Sequence, residues 1–145
     1  MEVKIGIGLS DIIFGMSIEN VEKNLGKPNK ISETDKPDGI VFYYNEPMIK
    51  VKFDKEFDSK LYSFEVFNPG MEMFGRKIMG KQKSEIEDML NKLEYLCEYE
   101  DYVFFETLFC QKIWTTFAFQ FDKLRSIEFS PLIDQNDEII WPEIK

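Results

Sequence analysis

Two short stretches of helical periodicity stand among many stretches of strict alternation. Ile18, Val21 and Leu25 recur on one helical face behind Ser17, whose hydroxyl can accept a hydrogen bond from a free N–H of the first turn. Gly26 and Pro28 end that helix, since glycine takes a left-handed conformation cheaply and proline cannot extend the hydrogen-bond ladder. Ile86, Met89, Leu90 and Leu93 form a second stripe, with Ser84 and Glu87 at capping-box spacing. Helices of two or three turns do not persist alone, so both must pack on the strands. Alternation predicts strands over 30–34, 40–44, 49–53 and 61–67 after the first helix. It predicts 95–99, 102–108, 112–121 and 124–129 after the second, and one more over 3–9. Asp38-Gly39, Asn45-Glu46-Pro47 and Glu100-Asp101 supply turns.

The two halves share spacings. Gly15, Val21 and Leu25 match Gly80, Ile86 and Leu90, and Phe53-Asp54 matches Phe121-Asp122. Leu61-x-Ser63-x-Glu65 matches Leu124-x-Ser126-x-Glu128. The pattern predicts one α+β domain over 1–145. It would hold two tandem helix-plus-antiparallel-strand repeats (about 10–69 and 75–133), an N-terminal strand and a C-terminal tail, with helices packed on one face of a curved antiparallel sheet. Val21, Leu25, Ile86, Leu90, Phe53, Phe64, Phe121 and Ile127 form the expected hydrophobic spine, and Phe117 and Phe119 also face the helices. The other face takes Trp114, Thr116, Ala118, Gln120, Lys50, Lys52, Ser63, Glu65, Ser126 and Glu128. A turn at Glu100-Asp101 sets Cys97 opposite Phe104 and adds Tyr95, Tyr99, Phe104 and Glu106 to that open face. Cys97 and Cys110 are then apart and expected as reduced thiols.

Charge and composition narrow the chemistry. Acidic side chains number 27 against 18 basic ones, a net charge of −9. Such a surface repels phosphate backbones, which argues against nucleic acid, and it steers basic partners inward. Absent histidine, Ser-His-Asp and Cys-His catalysis and most zinc sites are excluded. Gly6 and Gly8 lack the third glycine and following helix of a dinucleotide fingerprint. Asp134, Asn136, Asp137 and Glu138 lack the glycine and distal glutamate of a calcium loop. No catalytic residue, metal or cofactor is therefore expected. Met71, Met73 and Met79 read as gap-filling core near Phe74. Gly6, Gly8 and Asp11 interrupt the apolar N-terminal segment, and no apolar run approaches the roughly 18 residues of a membrane span. The expectation is a soluble, cytoplasmic chain without membrane contact. Trp114 is the natural interface anchor. Tyr99, Glu106, Tyr95 and Phe104 share its expected face, and Glu98 and Asp101 supply acidic contacts beside it.

Residues 14–28, F-G-M-S-I-E-N-V-E-K-N-L-G-K-P, resemble the opening of the small outer-membrane-assembly lipoprotein family (the SmpA/OmlA domain). They also resemble the related beta-lactamase-inhibitor-protein-like fold, in which a short helix ending L-G-x-P leads into antiparallel strands. The resemblance implies a non-catalytic binding protein whose sheet face grips another protein. In an acidic cytoplasmic chain it implies an immunity or inhibitor protein that neutralises a basic bacterial toxin. The alternatives are an envelope-assembly scaffold module and a small-molecule-binding domain.

Overall fold

The computed structural model describes residues 1–33 and 39–144. Thr34, the last residue of the first expected strand, and Asp38 of the Asp38-Gly39 turn lie outside the described residues. Three short strands, β1 (Val3–Lys4), β2 (Gly8–Leu9) and β3 (Ile12–Ile13), form a small antiparallel sheet. The single strand expected over 3–9 is broken by a turn at Ile5–Ile7. Gly6 sits there at φ 71°, and a side chain in its place would run into Leu132.

Helix α1 (Ile18–Leu25) begins as the sequence requires. The Ser17 hydroxyl accepts from the Asn20 N–H at 3.1 Å, and Gly26, at φ 81°, returns its N–H to the Glu22 carbonyl. Four strands follow: β4 (Lys30–Glu33), β5 (Gly39–Tyr44), β6 (Ile49–Asp54) and β7 (Lys60–Val66). A two-strand ribbon, β8 (Glu72–Met73) with β9 (Arg76–Lys77), leads to helix α2 (Lys83–Lys92). Ser84 does not cap α2. The cap position is Gln82, without a side-chain bond, so Ser84 lies inside the first turn. Four more strands close the chain: β10 (Glu98–Asp101), β11 (Glu106–Cys110), β12 (Thr115–Gln120) and β13 (Lys123–Phe129).

The architecture corrects the expected α+β pair of helix-plus-strand repeats with helices covering one face. The protein is mostly β, built on one eight-stranded antiparallel sheet of order β10-β11-β12-β13-β7-β6-β5-β4. The helices are too short to cover it. From α1 only Val21 is buried, and from α2 only Ile86, Met89 and Leu90. Leu25 is partly buried and Leu93 exposed. Much of the cover comes instead from short strands and the loops that join them. Leu9, Ile12, Phe14 and Met16 from the N-terminal sheet, and Met71, Met73 and Ile78 around the ribbon, join the same core as Phe53, Phe64, Phe117, Ile127 and Phe129. Phe14 stands edge-on to Phe129, at 5.5 Å between ring centres, and 5.3 Å from Phe64.

The matched Leu-x-Ser-x-Glu spacing encodes something local. Lys52 pairs with Ser63 but Phe53 pairs with Leu61, so Tyr62 is the extra residue of a β-bulge. Ala118 pairs with Ser126 but Phe119 with Leu124, which makes Arg125 the extra residue of a second bulge. Phe121 departs from the expected spine. It occupies the turn between β12 and β13 and is 91% exposed.

Candidate protein-binding surface

The hairpin β10–β11 decides where most of the candidate residues lie. Tyr102 donates its N–H to the Phe105 carbonyl at 2.8 Å, which puts the turn at Val103-Phe104 instead of Glu100-Asp101. The ladder then runs Asp101 with Glu106, Glu100 with Thr107, Tyr99 with Leu108 and Glu98 with Phe109. One step further, Cys97 meets Cys110. The two are joined in a disulfide, with Cα atoms 4.3 Å apart, and are not the separate thiols expected. The error was one of register: a turn misplaced along an acidic-aromatic run moves every cross-strand partner.

The same register splits the candidates between two faces. Leu108 and Cys110 are buried in the core, so Tyr99, Asp101 and Glu106 point to the α2 side of the sheet and not to the open face with Trp114. There Lys83 of α2 meets Glu106 and Tyr99. Its Nζ pairs with Glu106 at 3.0 Å, approaches Glu87 at 3.7 Å and lies 3.9 Å above the Tyr99 ring. Partial burial pulls the Lys83 ammonium down. The Glu106 bond and charge outweigh that, aided by Tyr99 and Glu87, and hold its pKa above the usual lysine value. The Tyr99 hydroxyl is raised by burial, then by Asp101 and Glu106, against the opposing pull of Lys83. Tyr95 is not on the open face either. It is half-buried, stacked on Phe74 at 6.1 Å, and packs against the core.

Trp114 and Glu98 remain on the open face. Trp114 is half-buried, sits at φ 47° after a one-turn helix over Gln111–Ile113, and meets the Phe109 ring edge-on at 5.3 Å. Towards the hairpin tip, Tyr102 stacks on Phe105 at 4.6 Å and donates its hydroxyl to Glu100 at 2.6 Å. That bond, then burial and the carboxylate charge, raise the Tyr102 pKa. The centre of the open face spends its charge internally, with Lys50 on Glu65 at 3.3 Å and Lys52 on Glu128 at 3.1 Å. Among the described residues no cation pairs with Glu98, Glu100 or Asp101. Three uncompensated carboxylates therefore stand together at the β10 edge.

Phe104 belongs to neither face. It caps the hairpin tip at 81% exposure, beside Val103 at 91%. Phe121 lines the same shallow hollow of about 290 Å³ as Val103, Phe104 and Phe105. Phe121 and Asp122 have φ 52° and 65°, a turn geometry that favours Asn-Gly and costs a bulky residue backbone energy. No burial offsets that cost. Reading by alternation missed Tyr102, Val103, Phe105 and Phe121. The signal was the unbroken Tyr102–Phe105 run between two acids, which no two-faced strand could bury.

Among the described residues, no three of Cys, Asp and Glu are grouped to hold a metal ion. Asp134 instead accepts from its own loop, from Asn136 N–H at 2.8 Å and Glu138 N–H at 3.1 Å. No described helix is long and apolar enough to cross a membrane.

No protein-family model matches the chain, and no curated protein matches its sequence. One solved structure is similar in fold, an extracellular protein containing a SCP domain from Bacillus anthracis str. Ames. The identity is 14% and the TM-score 0.50, over 81% of this chain and 43% of that one. The chain thus spans less than half the length of that protein, and the likeness concerns the fold alone.

Proposed function

We propose that this is a non-catalytic protein-binding protein that holds a basic partner. The observation that carries it is the exposed apolar tip, Val103, Phe104 and Phe121, beside an acidic edge. A left-handed phenylalanine exposed to water stabilises nothing in the free chain, and exposed apolar clusters of this kind mark contact sites. Glu98, Glu100 and Asp101 give the rim a charge that selects lysine and arginine on the partner. Trp114, with Phe109, supplies an aromatic anchor on the adjoining face. In its most specific form the partner is a basic toxin whose action is blocked on binding, as the immunity and inhibitor reading implies. The sequence suggests the cytoplasm, whereas the Cys97–Cys110 disulfide supports work in an oxidising compartment. The extracellular nature of the similar SCP-domain protein agrees with that.

The test is capture of a partner by the immobilised protein, followed by calorimetric titration at two salt concentrations. Affinity should fall as the Debye length shrinks from about 10 Å at 0.1 M to about 3 Å at 1 M. Phe104→Ser and Trp114→Ala should each weaken binding by ~2 kcal/mol if they are central anchors. The partner's own activity should be lost in the complex. An acidic partner, a nucleic-acid or lipid ligand, or affinity unchanged by both substitutions would sink the proposal.

A further inference from the structure

Among the described residues β10 is the terminal strand of the sheet, paired with β11 on one side, and all four of its residues are exposed. Its backbone has a defined free edge. The Tyr102–Phe105 bond marks that pair as hydrogen-bonded, and the antiparallel ladder alternates from there. Glu100 and Glu98 thus spend their backbone groups on β11, while Tyr99 and Asp101 turn their N–H and C=O outward. Among the described residues, no hydrogen bond outside the ladder uses those outward groups.

We propose that the β10 edge takes up an extended, basic segment of a protein partner as an added antiparallel strand. The inference rests on the protein-binding reading above and names how the partner docks. Hollows flank the edge on both faces. On the α2 side a groove of about 370 Å³ runs between an apolar wall of Leu90, Leu108 and Tyr99 and a polar wall of Lys83, Glu87 and Asn91. On the open side a broader hollow of about 560 Å³ is lined by Glu98, Glu100, Tyr102, Phe105 and Phe109. Alternate side chains of an added strand enter one hollow and then the other. A short aliphatic residue such as valine can pack on the Leu90, Leu108 and Tyr99 wall of the first without displacing the Lys83–Glu87 pair. Arginine or lysine suits the second, where carboxylates and aromatic faces both attract a cation. A second copy of this chain does not fit, because pairing β10 with itself sets Glu98, Glu100 and Asp101 beside like charges. The opposite edge, β4, carries Lys30, Ile31, Ser32 and Glu33. It lacks this single sign of charge and serves as an internal control.

The experiment measures amide hydrogen exchange by NMR on the intact, oxidised protein with a blocked peptide of alternating arginine and valine. The Tyr99 and Asp101 amides should exchange roughly tenfold more slowly with the peptide bound, with β4 unchanged. N-methylation of alternate peptide residues should abolish the effect in one of the two methylation phases, the one that removes edge-facing N–H groups. Glu98→Lys with Glu100→Lys should weaken peptide binding at least roughly tenfold. Absence of slowing, slowing at β4 instead, or equal slowing by a glutamate–valine peptide would each overturn strand addition. If a captured partner still binds through Phe104 while the peptide protects nothing, strand addition fails and the protein-binding reading stands. Protection by the peptide without any captured partner supports the edge and leaves the wider reading to fail separately.

Discussion

Phe121 and Trp114 carry the clearest signs of purpose among single residues, because each holds a left-handed backbone that an L side chain adopts at a cost. Trp114 recovers part of that cost by packing on Phe109, and Phe121 recovers none through burial. Replacing Phe121 by asparagine, which suits that turn position, should therefore stabilise the fold by about 1 kcal/mol in urea melts. The same change should weaken partner binding. A loss of stability in Phe121→Asn would show that the ring packs in the free protein, against its exposed position. The periodicity that placed Phe117 and Phe119 inward did so correctly. It failed one step later, because the Phe121-Asp122 turn breaks alternation and no glycine announces it.

At the scale of elements, the hairpin β10–β11 is held less by burial than by its disulfide. All of β10 is exposed, whereas Cys110 and Leu108 at its partner's end are fully or nearly buried. The Cys97–Cys110 bond closes a loop of 13 residues, which should contribute about 3 kcal/mol by restricting the unfolded chain. Cys97→Ser with Cys110→Ser should lower urea stability by about that amount and speed amide exchange in β10 ahead of the rest of the sheet. A change within about 0.5 kcal/mol would mean that strand pairing alone fixes this hairpin. The helices tell the opposite story. Their apolar spacing was legible in both and the cap only in α1, yet each buries so little that the core also draws on the methionine-rich ribbon and the N-terminal segment.

For the molecule as a whole, the shifts in ionisation agree in sign. The Tyr44 hydroxyl donates to the Gly26 carbonyl at 2.9 Å, and burial, with the nearby Glu22 charge, pushes its pKa up to about 12. Lys52 is pulled down by burial but raised overall by Glu128, and Lys83 behaves likewise with Glu106. A group whose pKa is raised on folding stabilises fully below its unfolded value. It loses that contribution as pH climbs through the folded one. Stability from these groups should thus be level up to about pH 10 and fall between about pH 10 and 12. Tyr44→Phe should flatten part of that alkaline fall, measured by urea melts across pH. An unchanged alkaline slope would show that Tyr44 ionises as freely in the folded chain as in the unfolded one.

Local interactions explain what the sequence determined by itself. Ser17 and Gly26 bound α1 because a cap and a left-handed terminus need only neighbouring residues. The burial of Phe53, Phe64, Phe117 and Ile127 was legible because period-two alternation reports a strand's wet and dry faces without knowledge of its partners. The acidic excess and the lack of histidine likewise follow from composition alone. Tertiary structure decided the rest. Whether Cys97 meets Phe104 or Cys110 depends on where one turn falls, and only pairing across the hairpin settles that. The faces of Tyr99, Glu106 and Asp101 follow from the same register. The union of eight strands into one sheet depends on β13 meeting β7, a contact between distant segments that local preference does not encode. Helices α1 and α2 are too short to cover so wide a sheet, so short strands and their loops lie over its core face, and the exposed apolar tip stands outside it.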